Sequence, residues 1–212
     1  MNWKHYLILT LLSAVVLGVT ASFLNSPGYM DAEYYYVMGL RIAKYGEFSE
    51  PFIWNYLTEI QTIPHPGFSY WMPIPALVSS IGMWITRIFS FSAARSGPIA
   101  IAALIPAVSM GLCYRLTGKR LISWLAGMLA VFPAFYSIFL TTTDSFGIMM
   151  LLGGIYLWTA LGNDSRSKYL VLGLLTGLLH LTRPDGLLWF AAGLLLVYKS
   201  EKKILESGAL LI

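Results

Sequence analysis

The sequence predicts an all-α polytopic membrane protein, and three observations carry that prediction. Hydrophobic residues make up 57% of the 212 residues and charged residues only 11%, too little charge to cover a soluble domain of this size. The apolar residues are gathered into long blocks separated by polar stretches, as in repeated membrane spans. The basic residues fall mainly in alternate loops, as the positive-inside rule requires. Mean hydropathy is +0.68 and the sequence pI about 9.1. The basic residues are nevertheless scattered over short loops and form no stripe, so nucleic acid is excluded as a partner. Cys113 is the single cysteine, which rules out a disulfide framework. There is no internal repeat and no low-complexity tract.

The predicted spans are 7–24, 97–115, 121–140, 145–162, 169–182 and 186–198, within one transmembrane module covering 1–212. A spanning helix needs about 17–25 apolar residues. The last two blocks are short and flank the tight turn Thr182-Arg183-Pro184-Asp185-Gly186. Val19-Thr20-Ala21 also reads as a signal-peptidase site, but the apolar run is long for a signal and follows a single lysine, so an uncleaved first span is expected. The apolar run opening at Gly208 suggests the front part of a longer protein.

The apolar segment 68–91 decides the topology. If it does not cross and the N-terminus is cytoplasmic, nine of the fourteen basic residues are cytoplasmic: Lys4, Arg115, Lys119, Arg120, Arg166, Lys168, Lys199, Lys202 and Lys203. Asp31, Glu33, Glu47, Glu50, Glu59, Asp144 and Asp185 then lie outside. If it crosses, the basic loops become external, against the charge rule. Pro73, Pro75 and Arg87 also suit an interfacial or re-entrant helix. Six crossings are therefore expected, with residues 25–96 as an external loop.

That loop holds most of the polar chemistry. Pro27-Gly28 makes a turn, and the stretch from Asp31 reads as an amphipathic surface helix with Tyr35, Met38, Ile42 and Tyr45 on one face, ended by Gly46. Asp31 stands where an N-cap belongs, a role compatible with a carboxylate facing a substrate. Glu33, two residues on, cannot share its face. Trp54 and Tyr56 read as interfacial anchors. His65, locked between Pro64 and Pro66, is a candidate contact for a phosphate or metal. Asp144 precedes a span, either as its N-cap or as a second acid in a shared polar cavity. Arg183 either binds a phosphate or braces its turn against Asp185.

In this order, these residues resemble the GT-C membrane glycosyltransferases, particularly the protein O-mannosyltransferases and lipid A aminoarabinose transferases. Asp31-Ala32-Glu33 resembles the acidic motif that opens a juxtamembrane helix in the first external loop. His65-Pro66, Asp144 and Arg183 match a later His-Pro element, a second acid and a basic outer turn. Mannosyltransferases have adjacent acids where Ala32 intervenes here. The resemblance implies a GT-C-like helical bundle with juxtamembrane helices in the first external loop. It further implies an inverting transfer of sugar from a polyprenyl-phosphate donor to a protein, lipid or glycan acceptor.

Asp31 would be the catalytic base, with Glu33, His65, Asp144 and Arg183 binding substrates. Arg183 and His65 are the candidates to meet the departing phosphate. Asp144 would position the acceptor or share a divalent cation with Asp31. The expected location is a prokaryotic inner membrane, with the active site external. The alternatives are a transporter or flippase, or a non-catalytic module that holds lipid-linked sugar. A transporter would place ionisable groups within its spans, where His180 is the exception to an otherwise nearly uncharged set.

Overall fold

The computed structural model describes residues 2–53 and 62–209, the last ten by backbone alone. Trp54, Tyr56 and Glu59 lie outside the described residues. The fold is mostly helical. Helix α1 spans Trp3–Ser22 and α2 Met30–Tyr45. The two-residue strands β1 (Ser49–Glu50) and β2 (His65–Pro66) pair antiparallel, Glu50 opposite His65. Then follow α3 (Ile74–Thr86), α4 (Phe91–Thr117), α5 (Arg120–Val131) and α6 (Ala134–Leu140). Helices α7 (Phe146–Ala160), α8 (Arg166–Thr182) and α9 (Leu187–Ala209) complete the order.

Two helices, α1 with 20 residues and α4 with 27, are long and apolar enough to cross a membrane. At 1.5 Å per residue they reach or exceed the roughly 30 Å of a hydrocarbon core. Helices α5 and α6 would form a third span if counted together, but they are bent by 51°. The break falls at Phe132-Pro133, where proline lacks the N–H and clashes with the preceding turn. The expected span 121–140 is thus one bent pair.

The other expected boundaries shift for local reasons. Helix α4 begins at Phe91 rather than residue 97 because the Ser90 hydroxyl caps it, accepting from the Ala93 N–H at 3.3 Å. Helix α8 begins at Arg166 because Ser165 caps the Lys168 N–H at 3.2 Å. Helix α9 runs past residue 198, since Ser200-Glu201-Lys202-Lys203-Ile204 contains no helix breaker. Helix α7 has only 15 residues, fewer than the block 145–162 suggested.

Segment 68–91 yields α3, whose 13 residues span only about 20 Å. It is wedged between α2 and α4. A Cβ on Gly39 of α2 would lie 2.9 Å from the Ala76 carbonyl oxygen, and one on Gly97 of α4 would lie 2.3 Å from the Val78 carbonyl oxygen. Arg95 of α4 stacks on Phe91 at 4.8 Å and donates from Nη1 to the Leu24 carbonyl at 2.7 Å. The start of α4 therefore sits beside the end of α1. The segment between α1 and α4 thus begins and ends at neighbouring points of the bundle.

Several apolar clusters fill the space between the helices. Leu17, Ala102, Ile105, Leu140 and Leu151 form one, and Leu9, Met110 and Val131 another. The two ends differ in charge. One carries the α4–α5 and α7–α8 turns, with Arg115, Lys119, Arg120, Arg166 and Lys168. The other carries α2, α3 and the turns at 141–145 and 183–186, where Asp31, Glu33, Glu47, Glu50, Asp144 and Asp185 accompany Arg41, Lys44, Arg87, Arg95 and Arg183.

Candidate functional site

Helix α2 follows the turn at Gly28, whose φ of +88° suits glycine. It stops at Gly46, where a left-handed φ of +69° lets the N–H reach the Ile42 carbonyl at 3.0 Å. Tyr35, Met38 and Ile42 are buried as their spacing predicts, but Tyr45 is 63% exposed. The buried strip takes in Ala32, Tyr35, Met38, Gly39 and Ile42, with Gly39 admitting the α3 backbone.

Asp31 is not the N-cap. Helix α2 opens at Met30, and extended Tyr29 occupies the cap position without a side-chain capping bond. Its phenol is drawn away to Asp144. Asp31 lies one residue inside, in the first turn with Glu33, where a carboxylate is favoured by the helix dipole. Its Oδ1 accepts from the Trp71 indole Nε1–H at 3.1 Å. Its Oδ2 takes no hydrogen bond from the described residues.

Asp31 and Arg183, distant in sequence, line one cleft of about 510 Å³. Tyr35 from α2, Tyr70 and Trp71 before α3, and Ser145 and Asp185 from the bundle turns complete much of its wall. Arg183 is the C-cap of α8, its backbone N–H donating to the Leu179 carbonyl at 3.0 Å. It is extended, with its guanidinium over the Phe146 ring at 5.6 Å and Nε donating to Asp185 at 3.2 Å. That pair is open to solvent, with side chains 35% and 54% exposed, so it contributes little to stability. The terminal guanidinium nitrogens make no bond among the described residues, so phosphate binding and bracing of the turn are compatible here.

Asp144 is 2% exposed and sits immediately beside the cleft residue Ser145. It does not cap α7 through its side chain in the expected way, because Ser145 holds the cap position. Its Oδ1 accepts from the Ser145 N–H at 2.5 Å and hydroxyl at 2.9 Å. Its Oδ2 accepts from the Tyr29 hydroxyl at 2.5 Å. Thr143 donates to the Ala32 carbonyl at 2.5 Å, tying the buried Thr141-Thr142-Thr143 turn to the first turn of α2. This clamp brings the second acid and Asp31 to one end of the bundle.

Glu33 and His65 lie elsewhere. Glu33 faces a separate apolar recess with Val37 and Phe52, as its two-residue offset from Asp31 requires. His65 belongs to the strand pair. Its Nε2 meets the Phe52 carbonyl at 2.8 Å and its Nδ1 the Pro66 carbonyl at 3.1 Å. Nε2 also lies 3.6 Å from Glu50. Both ring nitrogens are engaged by protein oxygens, and His65 does not line the Asp31 cleft. The prolines that singled it out position it for the strand pair. Among the described residues no three His, Cys, Asp or Glu side chains converge as a metal site would need.

The tyrosines were not singled out as functional by sequence. Burial, then the bond to Asp144, pushes the Tyr29 phenol well above the ordinary tyrosine range. Burial, with the negative charges of Asp144 and Asp31, does the same to Tyr35, and Arg183 opposes the shift. The available signal was Tyr34-Tyr35-Tyr36 in one helix. Successive residues point about 100° apart, so a surface helix cannot keep all three phenols in water.

No family model, curated protein or solved structure matches this chain.

Proposed function

We propose that this chain provides the acidic, substrate-facing end of a membrane glycosyltransferase with a GT-C-like bundle. It transfers a sugar from a polyprenyl-phosphate donor to an acceptor, with inversion, on the outer face of a cell membrane. The observation that supports this reading most is the cleft shared by Asp31 and Arg183. An incompletely bonded carboxylate and an incompletely bonded guanidinium there meet the two demands of the reaction.

Asp31 takes the proton from an acceptor hydroxyl or amine as it attacks the anomeric carbon. The bond from that carbon to the phosphate oxygen breaks, and the electron pair leaves with the lipid phosphate. Arg183 stabilises the charge gained there through its fork of N–H donors. Asp144, held by Tyr29 and Ser145, keeps the α7 end of the cleft in register. His65 drops out of the proposed substrate contacts because its ring is occupied by the strand pair.

Asp31→Asn tests the reading. With radiolabelled polyprenyl-phosphate sugar, transfer should fall about 10²–10⁴-fold, the usual range for a lost general base, while thermal stability in detergent stays unchanged. Near-normal turnover in that variant would sink the assignment. Label carried across vesicles without any product would favour a transporter, and binding without turnover or transport a lipid-sugar holding module.

A further inference from the structure

At the opposite, basic end lies a groove unrelated to the acidic cleft. It has a volume of about 320 Å³ and is lined by Tyr6 of α1, Ala107 and Val108 of α4, and Ile155 and Trp158 of α7. Its wall depends on Gly111, where a Cβ would come within 2.1 Å of the Trp158 ring and 3.2 Å of the Tyr6 ring. Only glycine lets both aromatics close on α4 here. Arg115, one turn further along α4, places its guanidinium 5.7 Å from the Trp158 ring centroid. Its Nη1 donates to the Trp158 carbonyl at 2.9 Å. Arg115 has no carboxylate partner among the described residues, whereas neighbouring Lys168 is paired with Asp164 at 2.9 Å. Lys119 and Arg120 follow directly after α4.

We propose that this groove binds an anionic glycerophospholipid, its acyl chain against Tyr6, Val108 and Trp158 and its phosphate on Arg115. The combination selects the ligand. A soluble anion would leave the apolar wall uncovered, and an uncharged apolar molecule would leave the guanidinium unpaired. The volume is at the small end of the roughly 300–1,000 Å³ typical of ligand cavities, suited to a chain rather than to a packing helix about 10 Å across. Arg115 sits near the C-terminal end of its helix, where a headgroup meets a membrane-crossing helix. The proposal rests on the membrane reading of α1 and α4 and is independent of the transferase chemistry.

The test uses the full chain in detergent, delipidated and offered phosphatidylglycerol and phosphatidylcholine with matched acyl chains. Retained lipid is counted by native mass spectrometry. The wild type should retain phosphatidylglycerol preferentially. Arg115→Gln should reduce that preference about 5-fold, as expected from one basic contact worth about 1 kcal/mol, and Arg115→Lys should keep most of it. Ala107→Phe, which fills the groove, should reduce retention of both lipids, and it serves as an independent test should Arg115→Gln not fold. Equal retention of the two lipids by the wild type would overturn the proposal. So would unchanged retention by Ala107→Phe, or a dimer that this substitution dissolves, which would make a second copy the occupant. None of these substitutions touches the Asp31 cleft, so loss of lipid selectivity with intact sugar transfer, or the reverse, separates the two readings.

Discussion

Two carboxylates at the polar end are each bonded by a tyrosine hydroxyl at 2.5 Å, Asp144 by Tyr29 and Glu50 by Tyr34. Both acids are 2% exposed, yet their surroundings differ. Around Glu50 the other groups are structural. Its Oε1 also accepts from the Phe68 N–H at 3.1 Å, that N–H lies 3.1 Å from the Tyr34 hydroxyl, and His65 is 3.6 Å away. Tyr34 stacks on Trp71 at 4.7 Å. This cluster joins α2, the strand pair and the approach to α3 into one body. The Asp144 bond instead borders the open cleft with Asp31 and Arg183. The same hydrogen bond thus fastens a scaffold in one place and holds the rim of a candidate site in the other.

The largest effect that sharpens this contrast is expected at Glu50. Glu50→Ala removes the buried carboxylate that accepts from both the Tyr34 hydroxyl and the Phe68 N–H. The loss should be about 3–5 kcal/mol, the usual consequence of breaking a buried charged network. It would be read as a large fall in thermal midpoint in detergent. A midpoint unchanged by this substitution would remove the scaffold half of the comparison.

A smaller effect comes from deleting each hydroxyl in turn. Tyr34→Phe should cost about 1–3 kcal/mol of stability, with transfer by the surviving folded protein close to normal. Tyr29→Phe should cost stability in the same range, but also lower transfer about 10-fold, because Asp144 loses the donor that fixes it beside the cleft. Kinetics and melting on the same preparations check both. If Tyr34→Phe impaired turnover more than Tyr29→Phe, the assignment of the two clusters would have to be reversed.

What could be read in the sequence follows from which forces act locally. The apolar blocks, the loop charges and Gly46 are local or periodic signals, and they led to the helices, the two ends and the stop of α2. Asp31 and Arg183 were identifiable as unusual polar residues at the ends of apolar blocks, and they do share a cleft. His65 was misleading because two prolines rigidify a segment without revealing what it pairs with. The partner, β1, is two residues long and has no pattern of its own. Asp31 looked like a cap because acids favour both the N-cap and the first turn. Its true position depended on Tyr29, whose phenol is committed to Asp144, 115 residues further along the chain. Glu50 was read only as an outside acid, since nothing local showed that Tyr34 would bury it.

The subtlest test exploits the proton held by each buried tyrosine. Burial raises Tyr34 and Tyr35 well above the ordinary range, with Glu50 reinforcing the first and Asp144 and Asp31 the second. Unfolded tyrosines ionise near pH 10, so above that pH the unfolded chain binds fewer protons than the folded one. Stability contributed by these groups is therefore complete below about pH 10 and declines as pH rises through the folded values, by about 1.4 kcal/mol per pH unit for each buried phenol. Absorbance titration at alkaline pH should reveal a group of tyrosines that ionises only on unfolding. Tyr34→Phe should make the alkaline fall in thermal midpoint shallower while leaving the Tyr29 and Tyr35 component in place. Ionisation of all thirteen tyrosines near pH 10 in the still-folded protein would show that neither carboxylate is shielded, and the contrast between scaffold and rim would lose its electrostatic basis.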